Sequence, residues 1–174
     1  MPTTTVTSDV NREKGGTRTV NGVRLYYEER GSGAPILCVH GAGSSALLWA
    51  PAILELARFG RVIAYDRRGY TRSERPDPGI PTSVAEHTDD AAALLDALGA
   101  TPAVVIGRSH GGQIALDLAL RHPGHVRALV LLEGVPESLD PEAEQWVRGL
   151  VERSFAAGER GPAAAADTLQ GGVR

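Results

Sequence analysis

A serine at a predicted strand-to-helix corner is the residue in this sequence whose surroundings best suit covalent chemistry. The stretch Gly107-Arg108-Ser109-His110-Gly111 follows the apolar run AVVI, precedes an amphipathic segment and fits the pattern G-x-S-x-G. Such a corner lifts the serine oxygen above the sheet on a strained turn, and only glycine-sized residues fit on either side. The N-terminus of the following helix offers amides to a developing oxyanion. We therefore predict that Ser109 is a nucleophile that attacks a carbonyl carbon.

The order of the other elements predicts the fold that would position this corner. Residues 17–31 hold two strand patterns joined by Asn21-Gly22, which is typical of a tight hairpin. Four apolar runs follow: PILCVHG, RVIAYD, AVVIG and VRALVLLEG. Because these runs are continuous rather than alternating, they indicate strands covered on both faces, as in a parallel sheet. Helical patterns lie between them at 51–58, 83–98 and 112–121, the second opening with the capping box SVAE. We predict an α/β fold: a mostly parallel open sheet with helices on both faces and an N-terminal hairpin.

Three further stretches resemble segments of the α/β-hydrolase superfamily. HGAG at 40–43 resembles the family's oxyanion-hole loop, and YDRRGYTRSERP at 65–76 resembles its D-x-R-G-x-G-x-S segment, with Thr71 in place of the second glycine. RHPGHVRALVLLEGVP resembles the helix end and strand that follow the nucleophile. The resemblance covers residues 17–136. It implies hydrolysis of a small ester through an acyl-enzyme, with the backbone amides of Ala42 and His110 forming the oxyanion hole.

The general base is not found in the chain. In the superfamily the histidine comes last, after the final strand of the sheet, and none of the five histidines occupies that position. His40 belongs to the oxyanion loop, where we expect it to be buried and to order the loop. His87 lies on the apolar stripe of its helix, which favours a core position, and His110 follows the nucleophile. His122 and His125 flank a proline at a helix end, where we expect solvent.

The acid has one candidate. Glu133 ends the strand that follows the elbow helix, a position at which some haloalkane dehalogenases carry their acid; the alternative is a structural carboxylate at a strand end. For Asp66, which ends the preceding parallel-strand pattern, we expect a structural role in holding the next loop rather than catalysis.

Composition and the resemblance together predict a domain organisation. The polar composition of residues 1–15 predicts a flexible N-terminal tail. The resemblance implies an α/β-hydrolase core over residues 16–136, whose last strands are absent, and the start of a helical cap or lid over residues 137–174. Within the last segment, Asp140-Pro141 predicts a helix start. The sequence thus looks like the first two-thirds of a hydrolase, and without a base its activity is an open question. Lacking further strands, ALVLLE would be an exposed apolar edge through which the chain could self-associate.

Composition excludes several classes of partner. A net charge of -3 gives no basic surface for nucleic acid and no polybasic membrane patch, and no apolar run approaches the roughly 18 residues of a membrane span. The first residues, MPTTTVTSDVNREKGG, lack the apolar stretch of a secretory signal. Cys38 is the single cysteine, so no internal disulfide can form, which fits the cytoplasm. No cofactor or metal is indicated.

Two alternatives stay open. ILCVHGAGSSA also satisfies G-x-G-x-x-A after a strand, with Asp66 placed for a ribose, as in dinucleotide-binding oxidoreductases. Against this, Pro51 puts the predicted helix start well past the glycines, and GRSHGG is left unexplained. The second alternative is a hydrolase-fold protein without catalysis, acting as a binder, which the missing histidine favours.

Overall fold

The computed structural model describes residues 13–77 and 79–133, which contain a single six-stranded sheet. The strands are β1 (Glu13–Val20), β2 (Val23–Arg30), β3 (Pro35–Val39), β4 (Arg61–Tyr65), β5 (Ala103–Arg108) and β6 (Val126–Leu132). The helices are α1 (Ala50–Leu56), α2 (Val84–Ala97) and α3 (His110–Arg121), with short 3-10 turns at Ala46–Trp49 and Pro123–His125.

The sheet has the strand order β1-β2-β4-β3-β5-β6. Strands β3 to β6 pair in parallel, whereas β1 pairs with β2 and β2 with β4 in antiparallel fashion. The predicted mostly parallel sheet with an N-terminal hairpin is therefore confirmed. The hairpin turns at Asn21 (φ 47°) and Gly22 (φ 74°), and two left-handed residues in succession are what an Asn-Gly turn provides.

Helices cover both faces of the sheet, which explains the continuous apolar runs. Because successive side chains of a strand point to opposite faces, the central strands contribute alternate residues to two separate apolar clusters. The cluster under α2 and α3 includes Leu37, Val39, Ile63, Tyr65 and Val105. The cluster under α1 includes Ile36, Cys38, Val62, Ala64 and Ile106.

The helix starts follow from local chemistry. At the start of α2, the Ser83 hydroxyl accepts from the Glu86 amide at 3.2 Å and the Glu86 carboxylate accepts from the Ser83 amide at 3.0 Å, which confirms the predicted capping box. Helix α3 begins at His110, two residues before the predicted start. Because glycine disfavours a helix interior, the pair Gly111-Gly112 favours a later helix start. The packing of α3 against β3 makes the helix start earlier.

One difference from the predicted domain organisation concerns the start of the chain. Strand β1 takes in residues 13–15 of the predicted tail, because Glu13 pairs with Arg30 and Lys14 with Glu29 through the backbone. Residues 1–12, the predicted cap segment 137–174 and its helix start at Asp140 lie outside the described residues. Within the described part, no helix is long and apolar enough to cross a membrane.

Strand β6 lies at one edge of the described sheet. Its last three side chains are substantially exposed: Val130 39%, Leu131 44% and Leu132 41%. The apolar edge expected from ALVLLE is thus present among the described residues.

Candidate active site

Ser109 occupies the sharp corner between β5 and α3. Its backbone has φ 52° and ψ −124°, a sparsely populated conformation that costs about 1–3 kcal/mol and is held only where the surroundings enforce it. The Ser109 amide donates to the Leu132 carbonyl at 2.8 Å, and the Gly112 amide donates to the Ser109 carbonyl at 2.7 Å. The residue is exposed, and its hydroxyl forms no hydrogen bond with any described residue. The corner therefore presents a free hydroxyl on a constrained backbone.

The two glycines of the G-x-S-x-G pattern are required by close backbone contacts. A Cβ on Gly107 would lie 2.2 Å from the Gly111 carbonyl oxygen, and a Cβ on Gly111 would lie 2.3 Å from the Val39 carbonyl oxygen. Gly41 also lies beside the corner, because a Cβ on it would be 3.3 Å from the Ser109 Cβ. The loop 40–43 after β3 therefore packs directly against the serine.

The amides of Ala42 and His110 are the predicted oxyanion donors. Ala42 follows Gly41 in the loop beside Ser109, and His110 is the first residue of α3. Within the described part of the chain, neither amide donates a hydrogen bond to another residue. Both are thus available to an acceptor placed beside the serine.

His40 is fully buried below this loop. Its Nε2 accepts from the Arg67 amide at 3.0 Å, so the proton is on Nδ1, which donates to the Gly41 carbonyl at 2.8 Å. Burial, reinforced by the nearby Arg67 charge, lowers the pKa of His40 to about 4. Both ring nitrogens bond the backbone, and His40 orders the loop as the sequence predicted.

His110 and His87 form a ring cluster with Tyr70. The His110 Nδ1 accepts from Arg67 Nη1 at 3.0 Å, and burial, with the Arg67 charge, lowers the pKa of His110 to about 4. His87 lies in the core as predicted, 2% exposed, with its Nδ1 unpartnered among the described residues. Its ring packs edge-on against His110 at 5.9 Å and near Tyr70 at 6.1 Å. Burial, again with the Arg67 charge, lowers the pKa of His87 to about 3.

Asp66 holds the loop after β4. Its buried carboxylate accepts from the Ala46 amide at 2.7 Å, from the Arg72 amide at 3.1 Å and from Arg72 Nε at 2.7 Å. Although burial opposes ionisation, hydrogen bonds from Arg72 and the two amides keep the pKa of Asp66 below its usual value. The carboxylate is thus committed to the protein, as expected, and does not extend toward a ribose.

The same loop is tied to α2 by Arg68, which forms a two-pronged ion pair with Asp90, both contacts at 2.8 Å. Thr71, which replaces the second glycine of the resembled pattern, has φ 37°. The loop therefore keeps a left-handed turn at this position despite the substitution.

None of the five histidines hydrogen-bonds to Ser109. His122 and His125, expected in solvent, are instead partly buried and pair with acids of α2: His122 with Asp89 and His125 with Asp96, each at 3.0 Å. The apolar periodicity of α3 carries no information about these contacts, since they depend on how α2 lies beside the end of α3.

Glu133, the candidate acid, follows β6 immediately beside the serine corner. Its carboxylate is 70% exposed and pairs with Arg108 Nε at 2.9 Å, and no histidine contacts it. The chain position is the one expected for an acid on this strand, and the carboxylate is joined to the residue that precedes Ser109.

A cavity of about 360 Å³ adjoins the corner. Its lining includes Tyr70, His87 and His110 from the ring cluster, together with Ile80 and Thr82 from the segment before α2. Over the described residues, no group of three or more His, Cys, Asp or Glu side chains is placed to hold a metal ion.

Arg67 is the site residue that the sequence did not single out. The resembled pattern leaves its position free, and two successive arginines after a strand were the only signal. Its side chain is fully buried and contacts both Gly41 of the loop 40–43 and His110.

Comparison with known proteins places this geometry in a family. The sequence profile of the alpha/beta hydrolase fold matches residues 34–163. The chain belongs to the α/β-hydrolase fold family, and this membership removes the dinucleotide-binding alternative.

Individual proteins similar to this chain include hydrolases. The uncharacterized hydrolase YraK of Bacillus subtilis is 38% identical over 140 residues, which span 78% of this chain and 52% of that protein. A 2-hydroxymuconate semialdehyde hydrolase of a Pseudomonas species is 44% identical over 115 residues, 64% of this chain and 40% of that protein. The solved structure of Est816, an N-acyl homoserine lactone degrading enzyme, aligns with a TM-score of 0.68 at 31% identity, covering 88% of this chain and 63% of that one. The chain spans about half the length of the curated relatives it matches.

Proposed function

We propose that the chain carries the nucleophile and oxyanion hole of a hydrolase that cleaves a small ester. The observation that carries the proposal is the strained, exposed Ser109 with an unengaged hydroxyl beside the free amides of Ala42 and His110. Ser109 Oγ attacks the ester carbonyl carbon, and the carbonyl electron pair moves to the oxygen held by the two amides. Collapse of this intermediate breaks the ester C–O bond and releases the alcohol. Water then attacks the acyl carbon, the bond between that carbon and Ser109 Oγ breaks, and the serine oxygen regains a proton as the acid leaves.

Two observations support an ester as the proposed substrate. The cavity lined by Tyr70, His87 and His110 offers room for one substituent of the carbonyl next to the corner. Est816 is named for degrading a lactone, and a lactone is a cyclic ester. Both support a carbonyl substrate.

Proton removal from Ser109 sets the expected rate. Within the described residues no histidine contacts its hydroxyl, so we expect the proton to pass to solvent and acylation to rise continuously with pH without a plateau near pH 7. A hydrolase site that lacks one member of its triad still accelerates hydrolysis by about 10³–10⁴ over water. Glu133 remains our candidate acid, with the role of orienting a base.

Covalent labelling of Ser109 tests the proposal. We expect incubation with p-nitrophenyl acetate to add one acetyl group, located on Ser109 by peptide mass spectrometry, faster than on any other serine. Ser109→Ala should lose the label completely. Ser32→Ala, which removes an exposed serine in the β2–β3 loop, is the matched control and should label like the parent chain. Acetylation spread evenly over the serines would contradict a nucleophilic role.

A non-catalytic binder is the second candidate, because no histidine is hydrogen-bonded to Ser109. This function predicts that the cavity takes up an ester without forming an acyl-enzyme. Saturable binding of p-nitrophenyl acetate with no Ser109 label would favour it over the hydrolase.

We place the protein in the cytoplasm. Cys38 is the single cysteine, free and fully buried, and burial raises the pKa of its thiol to about 12. Such a thiol is an inert core residue that needs no oxidising compartment.

Self-association through β6 is our further proposal for partners. Two copies can extend their sheets by pairing these exposed edges. We expect size-exclusion chromatography to show a concentration-dependent dimer, which Leu131→Lys weakens and Leu120→Lys, a change at an exposed leucine of α3, does not. A clean monomer at every concentration would exclude the contact.

A further inference from the structure

Arg67 carries a buried positive charge next to the proposed oxyanion hole. Its neighbours in the loop are neutralised: Arg68 pairs with Asp90, and Arg72 pairs with Asp66 and Glu28. Arg67 forms no ion pair with a carboxylate of the described residues, and its Nε is buried without a partner among them. Burial lowers the pKa of the guanidinium, yet an arginine stays charged in a protein. An unpaired buried charge is costly.

The guanidinium connects the two elements that carry the oxyanion donors. Nη2 donates to the Gly41 carbonyl at 2.9 Å, and Nη1 donates to the His110 ring at 3.0 Å. The Tyr70 ring lies 4.3 Å from its central carbon and supports the cation from the side. One rigid side chain therefore spans from the loop after β3 to the first residue of α3.

The contact with Gly41 acts on a catalytic amide directly. The Gly41 carbonyl and the Ala42 N–H belong to the same planar peptide group. That carbonyl accepts two hydrogen bonds, one from Arg67 and one from His40 Nδ1. Together they fix the plane of the peptide and polarise it, which strengthens its N–H as a donor. The contact with the His110 ring likewise fixes the residue whose amide is the second donor.

We propose that Arg67 is a positioning residue of the oxyanion hole: by bridging Gly41 and His110 it aligns both donor amides, and its charge favours the anionic intermediate. The proposal rests on the Ser109 chemistry proposed above. Preorganised dipoles and charges in a poorly solvated site act mainly on the transition state, so Arg67 should affect the acylation step and leave ground-state binding of the ester unchanged.

The test compares Arg67→Met, Arg67→Lys and the exposed control Arg58→Met in Ser109 acetylation by p-nitrophenyl acetate. We expect Arg67→Met to lower the acylation rate constant at saturating ester by about 10- to 100-fold, with the half-saturating ester concentration changed by less than about twofold. Arg67→Lys keeps the positive charge but can bond only one of the two partners, Gly41 or His110. Its acylation rate constant should therefore fall less than that of Arg67→Met. Arg58, whose one ion pair among the described residues is with Glu55 at the end of α1, should be replaceable without effect.

A second measurement distinguishes a misaligned oxyanion hole from a general structural defect. Phenylboronic acid forms a tetrahedral, negatively charged adduct with an active serine, so its affinity should fall in Arg67→Met in parallel with the acylation rate constant. Should Arg67→Met fail to fold by circular dichroism, folded Arg67→Lys decides, and a full parental rate in it would overturn the bridging role.

The possible results distinguish the role of Arg67 from the hydrolase function on which it rests. An absence of Ser109 label in the parent chain overturns the hydrolase function, and the role of Arg67 falls with it. Ser109-dependent labelling that is unchanged in folded Arg67→Met overturns the role of Arg67 alone. A higher half-saturating ester concentration in Arg67→Met, with the acylation rate constant at saturating ester unchanged, would also overturn it, since that pattern marks lost ester binding.

Discussion

The free energy of unfolding should fall steeply as the pH is lowered from 6.5 toward 4. His40, His87 and His110 have pKa values lowered from 6.5 to about 4, 3 and 4, respectively. Between those values the unfolded chain binds protons that the folded protein excludes, so stability is complete above pH 6.5 and is lost as the pH falls. Each histidine that stays neutral adds a slope of about 1.4 kcal/mol per pH unit.

The fully buried pair His40 and His87 should therefore give a combined slope of about 3 kcal/mol per pH unit. His110 is only half-buried and adds less, because solvent screens its charge. Since a domain of this size is stable by about 5–15 kcal/mol, exclusion of these two protons should remove a large share of the stability between pH 6.5 and pH 4.

Urea unfolding monitored by circular dichroism at several pH values measures this slope. His87→Phe removes one excluded proton and should flatten the slope by about 1.4 kcal/mol per pH unit. Tyr70→Phe alters the same ring cluster but keeps all three histidines, so it should leave the slope unchanged. An unfolding free energy that is flat from pH 6.5 to pH 5 would show that the histidines are protonated in the folded protein.

The second large effect is expected at Gly111, where alanine should destabilise the fold by about 3 kcal/mol or more. In an ordinary helix, glycine to alanine is favourable by about 1 kcal/mol. Here the new Cβ would lie 2.3 Å from the Val39 carbonyl oxygen and 2.7 Å from that of His40. Both are backbone atoms of the site, so α3 must move away from β3, and the serine corner moves with it.

Gly124→Ala is the matched control, because a Cβ there has no neighbour within 4 Å; its effect should stay within about 0.5 kcal/mol. Thermal unfolding and the Ser109 acetylation rate together check the prediction. Gly111→Ala should lose both stability and labelling. A stable variant that labels at the parental rate would mean that the helix and strand approach less closely than described.

The sequence predicts the sheet well because its signals are local. Asn21-Gly22 specifies a turn, Ser83 and Glu86 specify a helix start, and four apolar runs specify buried strands. It failed at the start of α3, where a tertiary contact of Gly111 with β3 outweighs helix propensity. It also placed His122 and His125 in solvent, because their partners Asp89 and Asp96 lie about 30 residues away in the chain.

The site was predictable only in part. Short motifs predict the position of Ser109 and the loop that contains Ala42. A strained corner and closely packed backbone segments require glycines at fixed sequence distances from the serine. The role proposed for Arg67 could not be predicted, because the residue acts through contacts with Gly41 and His110 that only the folded chain creates. The resembled pattern specifies Arg68 and leaves the position of Arg67 free, so it gives no sign that Arg68 is neutralised by a carboxylate and Arg67 is not.

The corner of Ser109 keeps its shape through backbone groups alone: its amide bonds the Leu132 carbonyl, and its carbonyl accepts from Gly112. Because the hydroxyl takes no part, the geometry of the turn and the identity of the attacking atom are set independently. A thiol in Ser109→Cys or a carboxylate in Ser109→Asp would be presented from the same backbone. One codon could thus exchange an oxygen ester intermediate for a thioester or an anhydride, and the scaffold is suited to redesign of its covalent chemistry without a new fold.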